Sequence, residues 1–171
     1  MNYALYQKIY TKQADFFRKR AWTIKLIRFF NYALTGGVAA AYFAFCIYLS
    51  VQGKWYDLAL CFAIPLACFL AVSLLRSVFN RPRPYASGGA NVTPLFCKLH
   101  KSDKSFPSRH IAAAVVIGVV MLPYLPVLGG IVLGLGAILA YIRFVVGLHY
   151  PTDLLAGGLL GALFGALLFL F

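Results

Sequence analysis

The chain has 171 residues, of which 62% are hydrophobic and 12% charged, about half the charged fraction of an ordinary soluble domain. With a mean hydropathy of +0.81, that balance excludes a water-soluble globular fold. Sixteen Lys and Arg against four acids leave a net charge of +12; because the charges flank long apolar runs, membrane orientation, anionic lipid headgroups and an anionic substrate explain them better than nucleic acid does.

The first 22 residues, rich in Tyr, Phe and Lys/Arg, read as an amphipathic helix lying on the membrane surface. The apolar run behind them starts late and is as long as a span, which argues against a signal peptide. A bilayer core about 30 Å thick needs roughly 20 apolar residues per helix. Residues 29–51, 58–75 and 154–171 hold no Asp, Glu, Lys or Arg, and each fits one crossing. Residues 111–142 are also uncharged, but too long for one crossing and short for two. Pro123 and Pro126 lie near the middle of that run, where a proline ends or kinks a helix, so it reads as a hairpin of two short helices. The expectation is an all-α integral membrane protein, a cell-membrane multi-pass bundle of about five transmembrane helices behind the N-terminal amphipathic helix, forming one domain over residues 1–171.

Two loops matter. A short one surrounds Gly53 and Asp57, and a long polar one covers residues 76–107; a loop of that length in so small a protein is functional more often than idle. Counting crossings brings Arg143 and His149 out beside His110, so the unusual polar residues meet at one membrane face. Gly157, Gly161 and Gly165 form a row at four-residue spacing on the last span, and Gly130 and Gly134 form a pair on the one before. Small residues so spaced let helices approach closely, inside one chain or between two copies as a homodimer. Cys46, Cys61, Cys68 and Cys97 contain no CxxC pair and read as small apolar residues. His100 reads as a solvated loop residue.

Three short sequences converge at the charged face: RSVFNRPRP (residues 76–84), PSRH (107–110) and RFVVGLHYPTD (143–153). Arg76, Arg83 and Arg143 suit a phosphoryl group, because a planar guanidinium gives two parallel charge-assisted hydrogen bonds. Ser108 stands where a helix begins, and a helix N-terminus offers free N–H groups to an anion. Glutamate is absent from the chain, and no Cys/His cluster or acid pair lies in these motifs, so neither a metal nor a cofactor is expected. Two histidines then divide the chemistry. His149 is the candidate nucleophile, because Pro151 at a helix start would let Asp153 reach back and fix its tautomer. His110 is left as the general acid. Arg109 either turns away towards lipid headgroups, the preferred expectation, or adds a fourth guanidinium to the pocket.

The same residues resemble the type 2 phosphatidic acid phosphatase (PAP2) superfamily, whose pattern is KxxxxxxRP, PSGH and SRxxxxxHxxxD. Arg76 with Arg83 and Pro84 keeps the first spacing, Pro107, Ser108 and His110 keep most of the second, and Arg143, His149 and Asp153 keep the third. The resemblance spans residues 76–153. It implies a metal-independent lipid phosphatase acting on undecaprenyl diphosphate, phosphatidylglycerophosphate or phosphatidate. It also implies phosphate binding by Arg76, Arg83, Ser108 and Arg143, a phosphohistidine on His149, proton donation by His110 and orientation of the nucleophile by Asp153. There are three departures: Arg76 replaces a lysine, Ile142 a serine, and Arg109 a glycine that lets backbone approach phosphate. Seven basic residues before the first span place the N-terminus and the site in the cytoplasm by the positive-inside rule, whereas bacterial members of the family usually work at the outer face.

Overall fold

Apolar runs of span length become helices because, in lipid, every backbone N–H and C=O must be satisfied within its own segment. The structure, a computed structural model, describes residues 3–87, 92–96 and 104–171; Cys97 and His100 lie outside the described residues. Six helices follow in order: α1 (Tyr3–Arg18), α2 (Ala21–Val51), α3 (Trp55–Phe79), α4 (Arg109–Met121), α5 (Pro126–Val145) and α6 (Pro151–Ala166), the last extended by a 3₁₀ turn over Leu167–Leu170. Among the described residues there is no strand, only an isolated bridge between Pro82 and Lys104.

Helices α2, α3, α5 and α6 with its 3₁₀ extension are long and apolar enough to cross a membrane. The fifth apolar helix, α4, has 13 residues and is roughly 20 Å long, short of the bilayer core. Only one arm of the expected hairpin is therefore short. Pro126 occupies the first turn of α5, where its missing N–H leaves nothing unsatisfied, and the helix runs its full 20 residues to include Arg143. α4 tolerates its length because it is sheathed by protein. Its Ile111, Ala112, Ala114, Val116, Ile117, Val120 and Met121 are buried, and it packs against α6, α5 and α3.

Glycines set that packing. A Cβ on Gly157 would lie 2.6 Å from the Ser108 carbonyl, and one on Gly161 2.6 Å from that of Ala112. Gly165 meets Val119 in the same way. This row is buried against α4 of its own chain, so it is not the surface through which two copies would pair. On α5, Gly130 and Gly134 face open space and so do not serve packing within the chain, while Gly129 and Gly136 pack on Gly118 and Ala114 of α4. In α3, Pro65 removes the N–H that would have bonded the Cys61 carbonyl. The Tyr42 hydroxyl of α2 donates to that carbonyl at 3.2 Å instead.

Helix α1 packs against the bundle. Tyr6, Tyr10 and Ala14 form an i, i+4, i+8 stripe that is 4%, 2% and 0% exposed. They pack with Val92, Leu95, Val146, Leu148 and Tyr150 in one apolar cluster. The Tyr10 hydroxyl donates to the Thr93 carbonyl at 2.6 Å, and Tyr6 stands 4.9 Å, ring to ring, from Tyr150. The N-terminal helix thus caps the same end of the bundle that carries the α5–α6 loop.

Candidate active site

That end gathers the polar residues. Among the described residues, every buried polar or charged side chain except Asn31 belongs there: Arg76, Ser105, Ser108, Arg143, His149 and Asp153. Burying so many polar groups together is costly unless each is hydrogen-bonded or kept for a ligand.

Each element end delivers one part. Arg76 and Arg143 sit in the last turns of α3 and α5, where cations complement the helix dipole. Asn80 adopts a left-handed conformation (φ 42°) and stops α3, turning residues 81–84 back over the bundle end. Ser108 is the N-cap of α4 and stands beside Gly157. Its N–H donates to the Asp153 carbonyl at 3.0 Å, which ties the start of α4 to the first turn of α6. Its hydroxyl is buried and has no hydrogen-bond partner among the described residues.

His149 is 1% exposed. Its Nδ1 lies 3.0 Å from the Ser105 carbonyl oxygen and 3.7 Å from Asp153 Oδ2. A carbonyl only accepts, so Nδ1 carries the proton and Nε2 keeps its lone pair. Asp153 therefore shares the orienting role expected of it with a backbone carbonyl. As Pro151 at the start of α6 suggested, the carboxylate does reach back: Oδ2 accepts the Tyr150 N–H at 2.9 Å, closing a capping box. Burial lowers the His149 pKa to about 4. Arg83 and Arg143 push in the same direction, and the Asp153 carboxylate opposes them. The resting ring is neutral.

His110 projects from the first turn of α4 and is exposed, within electrostatic reach of Arg143, His149, Arg109 and Arg83. Arg109 is exposed too, and lines a narrow cleft between α3 and α4. Arg76 is engaged differently from the simplest expectation. Its guanidinium donates to the carbonyls of Lys104, Ser105 (3.3 Å) and Pro107 (2.9 Å), holding the loop that presents Ser105 and Ser108. All the motif residues are brought to one end, and His110 and His149 both lie within electrostatic reach of Arg83 and Arg143.

Three contributors escaped the sequence. Ser105 acts through its carbonyl, and a backbone atom leaves no signature. Tyr150 takes part through its N–H and ring. Arg81 donates to Asp153 Oδ1 at 2.9 Å; the signal for it was the need of a buried carboxylate for a countercharge, in a string already rich in arginine. No cluster of three or more His, Cys, Asp or Glu among the described residues is placed to hold a metal ion.

Comparison with known proteins bears on the family and the fold. The PAP2 superfamily model matches residues 56–171. Undecaprenyl-diphosphatase BcrC of Bacillus subtilis (strain 168) is 31% identical over 99 residues, covering 57% of this chain and 49% of that protein, so the match spans about half the relative's length. The crystal structure of Aquifex aeolicus LpxE superposes with a TM-score of 0.72 at 24% identity, over 96% of this chain and 94% of that one. A transmembrane PAP2 type phosphatidylglycerolphosphate phosphatase from Bacillus subtilis superposes with a TM-score of 0.73 at 20% identity, over 96% and 83%. At these identities the two structures speak for the fold.

Proposed function

This chain belongs to the PAP2 superfamily, and from that premise we propose that it is a membrane lipid phosphatase that works through a phosphohistidine on His149 without a metal ion. The observation that carries the reading is the buried, neutral His149 with its proton fixed on Nδ1, set within electrostatic reach of Arg83 and Arg143.

In the first step the Nε2 lone pair attacks phosphorus and the bond from phosphorus to the leaving oxygen breaks. His110 gives its proton to that oxygen, and the negative charge of the bound phosphate favours the protonated ring it needs. In the second step water attacks the phosphohistidine, His110 takes the water's proton, and the P–N bond breaks to restore neutral His149. Arg83, Arg143, the Ser108 hydroxyl and the first turn of α4 supply fixed positive charge and donors for the equatorial oxygens. The buried Ser108 hydroxyl, unpartnered among the described residues, acquires an acceptor when phosphate enters. Arg76 shapes the pocket through the loop carbonyls it holds and adds its charge.

The substrate class is a lipid phosphate or diphosphate, with undecaprenyl diphosphate first because of the name of the relative; phosphatidylglycerophosphate and phosphatidate follow. A tail that stays in the bilayer and a headgroup that meets arginines suit an apolar bundle with a charged end. The test is phosphate release from farnesyl diphosphate and phosphatidate in detergent micelles containing EDTA. Activity should persist in EDTA and vanish in His149→Ala; a requirement for a divalent ion, or activity surviving that substitution, overturns the mechanism. Transfer of the phosphoryl group to another lipid would show as phosphorylated lipid in place of inorganic phosphate.

A further inference from the structure

Arg81 stands two residues before the arginine that the first motif counts, just beyond the left-handed exit of α3. It meets the surroundings of His149 from two directions. Its Nη1 donates to Asp153 Oδ1 and to Thr152 Oγ1, each at 2.9 Å, and its Cζ lies 4.1 Å from the centroid of the Tyr150 ring. Its carbonyl oxygen accepts the Ser105 N–H at 2.7 Å and the Ser105 hydroxyl at 3.3 Å. Ser105 and Asp153 are the two residues whose oxygens face His149 Nδ1.

We propose that Arg81 is a positioning residue: by holding both Ser105 and Asp153, it fixes the two acceptors that share the Nδ1 proton of the nucleophile. This rests on the reading of His149 as the phosphoryl acceptor. In the resting site the carbonyl, at 3.0 Å, holds the proton. When Nε2 binds phosphorus the ring becomes cationic, and the carboxylate 3.7 Å away becomes the better acceptor, because a hydrogen bond between charged partners is roughly twice as strong as a neutral one. Nδ1 keeps its proton throughout, so the switch moves no atom between molecules. Arg81 anchors Oδ1 and leaves Oδ2 to the Tyr150 N–H and the histidine. The groups facing His149 are then Asp153 on α6, Arg143 on α5, His110 on α4 and Arg83 on the turn after α3, with Arg76 and Arg81 behind Ser105 and Asp153.

The test compares wild type, Arg81→Gln and Arg81→Lys as full chains in micelles with farnesyl diphosphate, measuring kcat, KM, thermal midpoint and the pH profile of kcat/KM. Arg81→Gln should lower kcat about 10- to 100-fold, the weight of a hydrogen bond to a charged group, with KM held within about twofold because phosphate contacts stay intact. The acid limb should move to higher pH, since losing the guanidinium leaves the Asp153 charge uncompensated beside His149. Arg81→Lys, which keeps the charge, should recover most of kcat with a smaller shift, and it carries the same readouts if the glutamine variant does not fold. A raised KM with kcat retained would make Arg81 a phosphate ligand instead and overturn the proposal. A lowered thermal midpoint with an unmoved pH profile would overturn it in favour of a purely structural role. Activity in a parallel His149→Ala control would show separately that the nucleophile reading had failed.

Discussion

His149 and His110 reach the same site from elements that treat them in opposite ways. His149 sits in the tight α5–α6 loop, 1% exposed, its Nδ1 facing the Ser105 carbonyl oxygen, to which Arg76 also donates, and Asp153 Oδ2, to which the Tyr150 N–H donates. His110 rides on the open first turn of α4 beside another exposed residue, Arg109, and among the described residues nothing hydrogen-bonds its ring. The difference suits the two tasks proposed for them. A nucleophile needs one tautomer, one orientation and a dry neutral ring, which burial and fixed acceptors supply. A general acid needs to exchange protons with water and meet leaving groups of different shape, which exposure supplies. The surrounding arginines act on the two rings alike: Arg83 and Arg143 favour the neutral form of His149 and of His110, so the proton on His110 depends on the bound phosphate's charge.

The sharpest way to break this contrast is to remove each ring in turn. His149→Ala should cost about 10,000-fold or more in turnover, as losing a nucleophile does elsewhere, and should abolish acid-labile phosphoprotein after rapid quenching. His110→Gln should cost about 100- to 10,000-fold, the usual weight of general acid catalysis. The loss should be far smaller with p-nitrophenyl phosphate, whose leaving group needs no proton. An equal loss on both substrates would show that His110 supports the site without donating to the leaving oxygen.

Next in size is the clamp between α1 and the nucleophile loop. Gly147 has φ +80°, and a Cβ there would stand 2.8 Å from the Tyr10 ring. Gly147→Ala should destabilise the protein by about 1–3 kcal/mol, read as a lower thermal midpoint, with turnover reduced because the shift propagates to His149 two residues on. Adding Tyr10→Ala should relieve the contact but not the backbone strain, so the double variant should recover in part. Full recovery would assign the whole effect to the Tyr10 ring.

Much of this was legible beforehand. Apolar runs of span length gave the long helices, and Pro123 with Pro126 marked the α4–α5 turn, because chain punctuation is local. Motif residues His110, His149 and Asp153 could be placed together because crossings can be counted. What escaped depends on closure across the chain. Arg81 meets a partner 72 positions away, and Ser105 works through a carbonyl that every residue possesses. The stripe of Tyr6, Tyr10 and Ala14 has one pattern whether it faces lipid or protein, so only the folded chain shows that it covers the site. The glycine row could be found in the sequence, but its partner helix could not.

Proton dependence sharpens the contrast further. An unperturbed histidine titrates near 6.5, about where His149 should in the unfolded chain; in the folded protein burial lowers it to about 4. Between those values the unfolded chain binds the extra proton, so the stability contributed by neutral His149 is complete above about pH 6.5 and is lost as pH falls towards 4. The acid limb of kcat/KM for wild type should accordingly lie well below pH 6.5. A limb at 6.5 would mean that the ring is solvated in the working enzyme.

Arg109→Gly should have the smallest effect, and it tests the exposed side of the comparison. The arginine stands where the resembling family has glycine, which raised the alternatives of a fourth guanidinium in the pocket and a side chain turned away. In the structure it lines the cleft between α3 and α4 with Pro65, Cys68, Phe69 and Ala113, an apolar wall along which a long cationic side chain can extend while its head stays in the polar layer. Glycine there removes that contact and loosens the first helical turn, worth about 0.5–1 kcal/mol, but it leaves Ser108, His110 and the phosphate arginines in place. Turnover of phosphatidate in neutral micelles should stay within about fivefold of wild type, the most that energy would cost if it fell wholly on the transition state. Activity in vesicles rich in anionic lipid should fall more if the guanidinium engages headgroups. A collapse of turnover in neutral micelles would place the guanidinium on the substrate, and the exposed side of the site would then bind phosphate as directly as the buried side does.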